Sequence, residues 1–373
     1  MKIKNIYARK IVNSAGSYTL ETTLKLDGGF VGVASIPAGI SYGSSEAVIV
    51  KAEDAVLNIN EILAKDLIGF EVAELKDLDR ELLFIDGTPD KAKFGANAIL
   101  SVSIACLRAL AQSHQLPLYR YIDTLFNKEI TNQNFKMPKM MVLMFEGGKH
   151  GSGRLKMQEF MQIFDTVDEA VNSSKRLEVY LEENGQSINV GKEGAFCPDL
   201  TDKQALDVLV KISKNPIALD VAFTHKETKS ESLESLVEKY PIQTVEDPYG
   251  EEEWREWVEF TKKYSDRVTV IADDLSVTNV KRLARIVKEK SATGVIVKPN
   301  QIGTVSETLD FAREAKRNNM KIVVSHRGIE TNDDFIADLA VGIQADYTKF
   351  GAVRRGERVA KYNRLLEIQS QIS

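Results

Sequence analysis

Eight apolar, β-rich runs separated by amphipathic stretches fill the second part of this chain, and that alternation admits few folds. The runs lie at 139–145, 157–164, 217–222, 242–247, 268–273, 293–298, 321–325 and 345–350. Helical periodicity occupies most of the gaps, for example 251–263, 277–290, 306–318 and 333–343. Between Asn279 and Lys290, Val280, Leu283, Ala284 and Val287 fall on one helix face. Eight strands with helices between them predict a β/α barrel of TIM type rather than an open sheet. A short Gly-rich loop joins the first two runs, so these two are expected to pair antiparallel.

The preceding residues follow another pattern. Residues 1–36 read as a three-stranded meander, rich in Val and Thr, with Asp27-Gly28-Gly29 as a hairpin turn. A small-residue loop, Pro37 to Ser45, follows and is expected to be mobile. From about Glu46 to Asp123 the pattern is helical, with A-N-A-I-L-S-V-S-I-A-C-L-R-A-L as the core helix. The expected fold class is therefore α/β: an α+β N-terminal domain over 1–125, a polar linker from about Phe126 to Pro138, and a modified barrel over 138–373 that carries the chemistry.

Composition excludes several functions. The net charge is -5 with 28% charged residues, and Lys and Arg are not clustered as a nucleic-acid binder requires. No apolar run approaches the roughly 20 residues that span a bilayer. The N-terminus lacks the apolar core of a signal peptide. The two cysteines, Cys106 and Cys197, read as reduced core residues of a cytoplasmic protein. His114 and His225 read as surface residues.

The chemistry lies at the strand ends. I-A-L-D ends at Asp220, Q-T-V-E at Glu246, V-I-A-D at Asp273, V-I-V-K at Lys298, I-V-V-S-H-R at His326 and Arg327, and D-Y-T-K at Lys349. The intervals between these positions are 26, 27, 25, 28 and 23 residues, each about one βα unit. Any single Asp or Lys there reflects only the solvated turn that follows. Six in succession deliver an ionisable group each to one barrel face, where barrel enzymes keep their sites. Three inward carboxylates repel each other in a low dielectric, and a hard divalent cation such as Mg²⁺ resolves the repulsion. A lysine beside that cation has its pKa lowered and serves as a base. The constellation suits removal of a proton next to a carboxylate.

Specific stretches then point to a family. D-G-T-P-D-K-A-K-F-G-A-N-A-I-L (86–100), L-K-M-Q-E-F-M (155–161), V-E-D-P (245–248), D-D-L-S-V-T-N (273–279), K-P-N-Q-I-G-T (298–304), S-H-R-G-I-E-T (325–331) and R-V-A-K-Y-N-R-L-L-E-I (358–368) resemble the enolases, phosphopyruvate hydratases of glycolysis, nearly end to end. Enolase-superfamily sites are themselves the type case of a base set against metal ions that stabilise an enediolate. The resemblance implies a lyase that dehydrates 2-phosphoglycerate to phosphoenolpyruvate. It implies that Asp220, Glu246 and Asp273 hold one Mg²⁺, and that Ser41 helps hold a second when substrate binds. Lys298 would take the C2 proton, with Lys349 beside the substrate carboxylate. Glu193 and Glu159 would protonate the leaving hydroxyl, with Gln158 and His326 lining that pocket. Arg327 would clamp the phosphate, Gly328 would offer its amide, and His150 would approach the same end as loops close. Partners implied are a small phosphorylated carboxylate substrate and a second copy of the chain in a homodimer.

The chain also departs from the family pattern. S-H-R-S-G-E becomes S-H-R-G-I-E at Gly328, and V-G-D-E-G-G becomes V-G-K-E-G-A at Lys192. N-G-G-S-H-A becomes E-G-G-K-H-G, placing Glu146 and Lys149 near the site; S-G-A-S-T-G becomes A-G-I-S-Y-G, with Ile40 and Tyr42. Ala15 stands where the family has an arginine at its dimer contact, and the chain is shorter between Ile163 and Gly191. Lys192 is expected to favour the carboxylate form of Glu193 if the two converge. Arg354, Arg355 and Arg358 read as structural or interface charges. The leading expectation is an active enolase. The alternatives are a divergent paralogue acting on another phosphorylated or phosphonate carboxylate, and a non-catalytic binding protein on the same fold.

Overall fold

The computed structural model describes residues 1–40, 42–128, 134–151, 153–222 and 232–372. Three strands, β1 (Ile3–Val12), β2 (Tyr18–Leu26) and β3 (Val31–Ser35), form an antiparallel sheet in the order β1-β2-β3. Eight more close a barrel: β4 (Lys139–Glu146), β5 (Glu159–Phe164), β6 (Ile217–Asp220), β7 (Ile242–Glu246), β8 (Thr269–Ala272), β9 (Gly294–Val297), β10 (Lys321–Ser325) and β11 (Tyr347–Lys349). Each of the eight expected runs is a barrel strand. The β4–β5 pair is antiparallel, as the short connection requires, and β5–β6 is antiparallel too. All other barrel pairs are parallel. A single reversed strand, β5, thus sits among seven parallel ones.

Strand periodicity fills the barrel and aims the site. Met141, Leu143, Met161, Ile163, Ala218, Ile271, Ile296, Val323 and Tyr347 form a buried cluster inside it. Side chains two apart on a strand share a face. Ala218, Ile271, Ile296 and Tyr347 therefore predict that Asp220, Asp273, Lys298 and Lys349 also point inward, one layer higher. The apolar layer is the floor on which the charged groups stand.

One face of the small sheet packs on the helix Ala96–Ser113. Leu20, Leu24, Leu26 and Ala34 are buried there, against Ile99, Val102, Ala105 and Leu110. This helix is long and apolar enough by composition to cross a membrane, but 83% of it is buried inside the protein, so its apolarity is that of a core element. The last helix before the barrel, Leu118–Asn127, runs into the stretch read from sequence as linker. Phe126 is buried, and Arg313 donates to its carbonyl, so tertiary packing carries the helix past the polar boundary. Both cysteines are buried, as expected. His114 is exposed, as expected; His225 lies outside the described residues.

The sheet and barrel are joined by charges. Arg108 forks onto Asp333 at 2.7 and 3.0 Å and reaches Asp334 at 2.8 Å. Ala38 and Ile329 exchange backbone hydrogen bonds, which lays the loop after β3 against the segment after β10.

Gly32 on β3 lets sheet and helix meet. A Cβ there would strike the Ala105 carbonyl and come within 2.8 Å of Ala109 N, both main-chain atoms with no freedom to yield. Gly32→Ala is expected to cost ~2 kcal/mol or more of stability by overpacking. Denaturant titration of the variant against the parent measures this.

Candidate active site

Barrel register builds a row of acids. Glu146 pairs with Glu159, Glu159 with Asp220, and Asp220 with Glu246, so four adjacent strands put carboxylates side by side at one rim. The reversed β5 contributes its first residue where the parallel strands contribute their last. All four are at least 96% buried. Such a row cannot stay fully ionised without cations. Lys349 supplies one: its Nζ lies 2.8 Å from Glu246 Oε2, 2.9 Å from Asp220 Oδ2 and 3.1 Å from Glu159 Oε2. Lys298 pairs with Asp273, which also accepts from Gln301 at 2.9 Å.

The carboxylates expected at a metal are therefore held by lysines. Glu246 lies behind Lys349 and is not among the cavity-lining residues, whereas Asp220 and Asp273 are. Glu246 Oε1 is buried with no hydrogen-bond partner. The acids already closest to one another are Asp247, Asp273 and Asp274, whose oxygens lie within 4.8 Å. Sequence reading passed over Asp247 and Asp274, although each is the second acid of an E-D or D-D pair. Asp247 accepts from the amides of Asp273 and Asp274 at 2.9 and 3.0 Å and so sets the chain direction at the end of β8. Burial, with Asp273 adding, pushes Asp274 up to about 7.

Sequence reading expected a bound cation to lower the pKa of a lysine; the protein's own groups act in the opposite direction. Burial pushes Lys349 down, but Asp220, Glu159 and Glu246 outweigh it and hold the amine well above its ordinary value. Burial likewise opposes, and Asp273 restores, the charge on Lys298, whose pKa is raised. Carboxylates, not cations, are the nearest neighbours of both.

Glu159, already paired with Lys349, also neighbours Glu193. Burial pushes Glu159 up to about 8, with Lys349 opposing and Glu193 and Asp220 adding. Burial also pushes on Glu193, but His326 and then His150 overcome it and hold that carboxyl well below its usual range. His150 Nδ1 stands 3.3 Å from Glu193 Oε1 and 3.8 Å from Glu159 Oε1; His326 Nε2 stands 3.3 Å from Glu193 Oε2. Two neighbouring acids thus have their affinities for a proton pushed apart, the pattern that separates an acid from a carboxylate. His150 was expected at the phosphate end, and the structure puts it beside these acids. Lys192 does not converge on Glu193: its exposed Nζ donates to the Lys149 carbonyl at 3.1 Å. The imidazoles, not Lys192, keep Glu193 ionised. Gln158 donates to Asp220 Oδ2 at 3.2 Å.

Glu146 secures the loop that carries Glu193. Its carboxylate accepts from Glu193 N at 3.0 Å and Ala195 N at 2.8 Å. Gly191 gives it room, since a Cβ there would meet Glu146 Cγ at 2.7 Å. Burial, then the charge of Glu193, pushes Glu146 up to about 7.

Arg327 marks the far end. Its guanidinium bonds Glu46 at 2.9 and 3.2 Å and Asn300 Oδ1 at 3.1 Å, and lies 5.4 Å from the Tyr42 ring centroid. Glu46 comes from the N-terminal part and was read only as the start of a helical region. Ile40 packs on Gly328: a Cβ at 328 would lie 2.6 Å from Ile40 Cγ1 and 3.2 Å from Glu193 Oε1. The isoleucine that replaces the family's alanine thus fills the space of the serine side chain this chain lacks. Ser41 lies outside the described residues. Arg354 pairs with Glu178, and Arg358 is fully buried and bonds His326, the structural of the two roles read for it. The enclosed cavity measures about 200 Å³. The site takes a small molecule.

Buried acids, two lysines and an arginine gathered at one barrel rim mark the active site of an enzyme. Comparison with known proteins agrees. The family description "Enolase, N-terminal domain" matches residues 3–122, and "Enolase, C-terminal TIM barrel domain" matches 134–227 and 218–373. The curated "Enolase" of Elusimicrobium minutum (strain Pei191) is 39% identical over 411 aligned residues, covering 100% of this chain and 96% of its own length. The chain belongs to the enolase family, the phosphopyruvate hydratases.

Two outcomes are expected at this site. Glu146 binds a proton more tightly folded than unfolded, so its contribution to stability is present below about 4.5 and is lost as pH rises through about 7. Glu146→Gln keeps an acceptor for both amides and removes the charge. Its stability relative to the parent, measured by chemical denaturation, is expected to be higher at pH 8 than at pH 5. Gly328→Ser is expected to raise the substrate KM ~10-fold or more by displacing Ile40, and Ile40→Ala in the same chain is expected to recover most of that loss. Steady-state kinetics of the two single variants and the double variant measure the coupling.

Proposed function

We propose that this protein dehydrates 2-phosphoglycerate to phosphoenolpyruvate, reversibly and with Mg²⁺, as a glycolytic enzyme of the cytoplasm. The observation that carries the reading is the rim itself: Lys298 and Lys349 among Asp220, Glu246 and Asp273, Glu159 in contact with Lys349, Glu193 beyond it, and Arg327 at the end. A divalent cation fits this donor set. The ligands are all hard oxygens, as Mg²⁺ prefers. Glu246 Oε1 is buried and unpartnered. Asp220, Glu246 and Asp273 would hold the ion, and Ser41 would help hold a second. Bound there, Mg²⁺ supplies the positive charge that stabilises a substrate carboxylate as electron density moves onto it.

The chain's own groups do the rest. Lys298 takes the C2 proton as the neutral amine, the form favoured once Asp273 turns from it to a bound cation. Lys349 places a second ammonium beside the substrate carboxylate. The C3 hydroxyl leaves as water with a proton from Glu159, the acid whose carboxyl keeps its proton near neutral pH. Glu193 stays ionised and, with Gln158, His150 and His326, orders that end of the pocket. Arg327 exchanges Glu46 for the phosphate and grips it with two parallel N–H donors. Gly328 offers its amide there.

The Ile40–Gly328 contact favours a second reading, a divergent paralogue acting on another phosphorylated or phosphonate carboxylate, because a side-chain donor is replaced by an apolar wall. A homodimer through the small sheet is supported by the exposed Tyr7 on the face turned away from the helix.

The test is turnover. With Mg²⁺ and 2-phosphoglycerate, absorbance of phosphoenolpyruvate is expected to rise, and Lys298→Ala to reduce kcat ~1,000-fold or more. No turnover, with metal-dependent exchange of the C2 proton, supports the second reading. Neither turnover nor exchange overturns both.

A further inference from the structure

His326 is pinned from every side. It is 3% exposed, its amide donates to Lys349 O at 2.9 Å, and a Cβ at Gly351 would lie 2.9 Å from its Cε1. Behind the ring lies Arg358, on the C-terminal helix Gly356–Ile372, with no exposed surface. Arg358 Nη1 is 2.8 Å from His326 Nδ1. The same guanidinium donates to the carbonyls of Arg327 at 2.6 Å and Gly328 at 2.7 Å.

A guanidinium carries only donors and does not lose its charge in a protein. The nitrogen that faces it must accept. His326 Nδ1 is therefore bare, and in the neutral ring the proton sits on Nε2, which is the nitrogen that faces Glu193 Oε2 at 3.3 Å. Protonating Nδ1 would set two donors against each other 2.8 Å apart with no water between. We propose that Arg358 is a positioning residue that locks His326 in its neutral, Nε2-protonated form, so that the ring donates toward Glu193 and neither stores nor delivers a proton.

The charged groups facing the ring fit this assignment. Glu193, on the segment after β5, presents the acceptor. Arg358, on the last helix, blocks the other nitrogen. Glu330 is engaged elsewhere, accepting from the Arg327 amide at 3.1 Å and pairing with Lys361 at 2.9 Å. Lys349 meets the histidine only through its carbonyl. Burial pushes His326 down to about 4, with Glu193 opposing and Arg358 adding. The lock leaves Glu159 and His150 as the neighbouring groups with a proton to give, since burial opposes but Glu193 restores the charge on His150, a consequence that rests on the proposed dehydration. The lock itself belongs to the substrate-free chain and stands apart from it.

The test is nitrogen NMR on the full chain labelled with ¹⁵N-histidine. The chain has four histidines, and His326→Gln assigns the signal of interest. The expected result is one protonated Nε2 and one bare Nδ1, unchanged between about pH 5 and 8. A protonated Nδ1 or an imidazolium in that range overturns the proposal, and this measurement needs no variant at Arg358 to fold. Arg358→Gln, whose amide can accept as well as donate, is expected to admit the Nδ1-protonated form and to bring ring protonation from about 4 back toward 6.5. Arg358→Lys, a donor only, is expected to retain the Nε2 form. If the Gln variant folds and leaves tautomer and protonation as in the parent, the proposal fails. Loss of turnover with the tautomer intact in the parent faults the dehydration reading and leaves the lock standing.

Discussion

Closing an eight-stranded barrel brings Glu146, Glu159, Asp220 and Glu246 into register across four neighbouring strands. Buried like charges at that spacing are intolerable without compensation, and the site is organised by how they are compensated. Lys349 reaches three of the acids at once, and Lys298 meets a fourth acid, Asp273. Two main-chain amides hold Glu146. The same crowding of hard oxygen donors is what a divalent cation could use.

The acids do not share one fate. Glu159 sits where burial dominates and keeps its proton to about 8. Glu193 sits between two imidazoles and gives its proton up. Chemically identical side chains a few ångströms apart thus hold opposite charge states. Arg358 extends this logic one layer outward, since it decides which nitrogen of His326 Glu193 can see. The N-terminal part finishes the cavity. Glu46, Ile40 and Tyr42 cover the arginine end, and the Ala38–Ile329 bridge anchors their loop to the barrel.

Much of this was legible in the chain itself. Strand ends were visible because a parallel barrel repeats at one βα unit, and a period of two fixed which side chains turn inward. Glu193 and Glu159 needed the family motifs, because one lies on a loop and the other opens a reversed strand. Reading missed other residues. Asp247 acts through the main-chain amides of Asp273 and Asp274, Glu46 reaches across from another part of the chain, and Arg358 comes from the last helix. Neither Glu46 nor Arg358 has a sequence spacing that relates it to the group it contacts.

By itself the sequence determined the order of strands, the inward row of acids and lysines, and membership in a family, because these follow from local periodicity and short motifs. Only the tertiary structure decided who neutralises whom. The lysines are raised rather than lowered in affinity for a proton, Lys192 turns away from Glu193, His150 stands with the acids, and Ile40 fills the space above Gly328. Charge state and shape complementarity depend on distances between residues far apart in the chain. A one-dimensional pattern holds no record of those distances until the barrel closes.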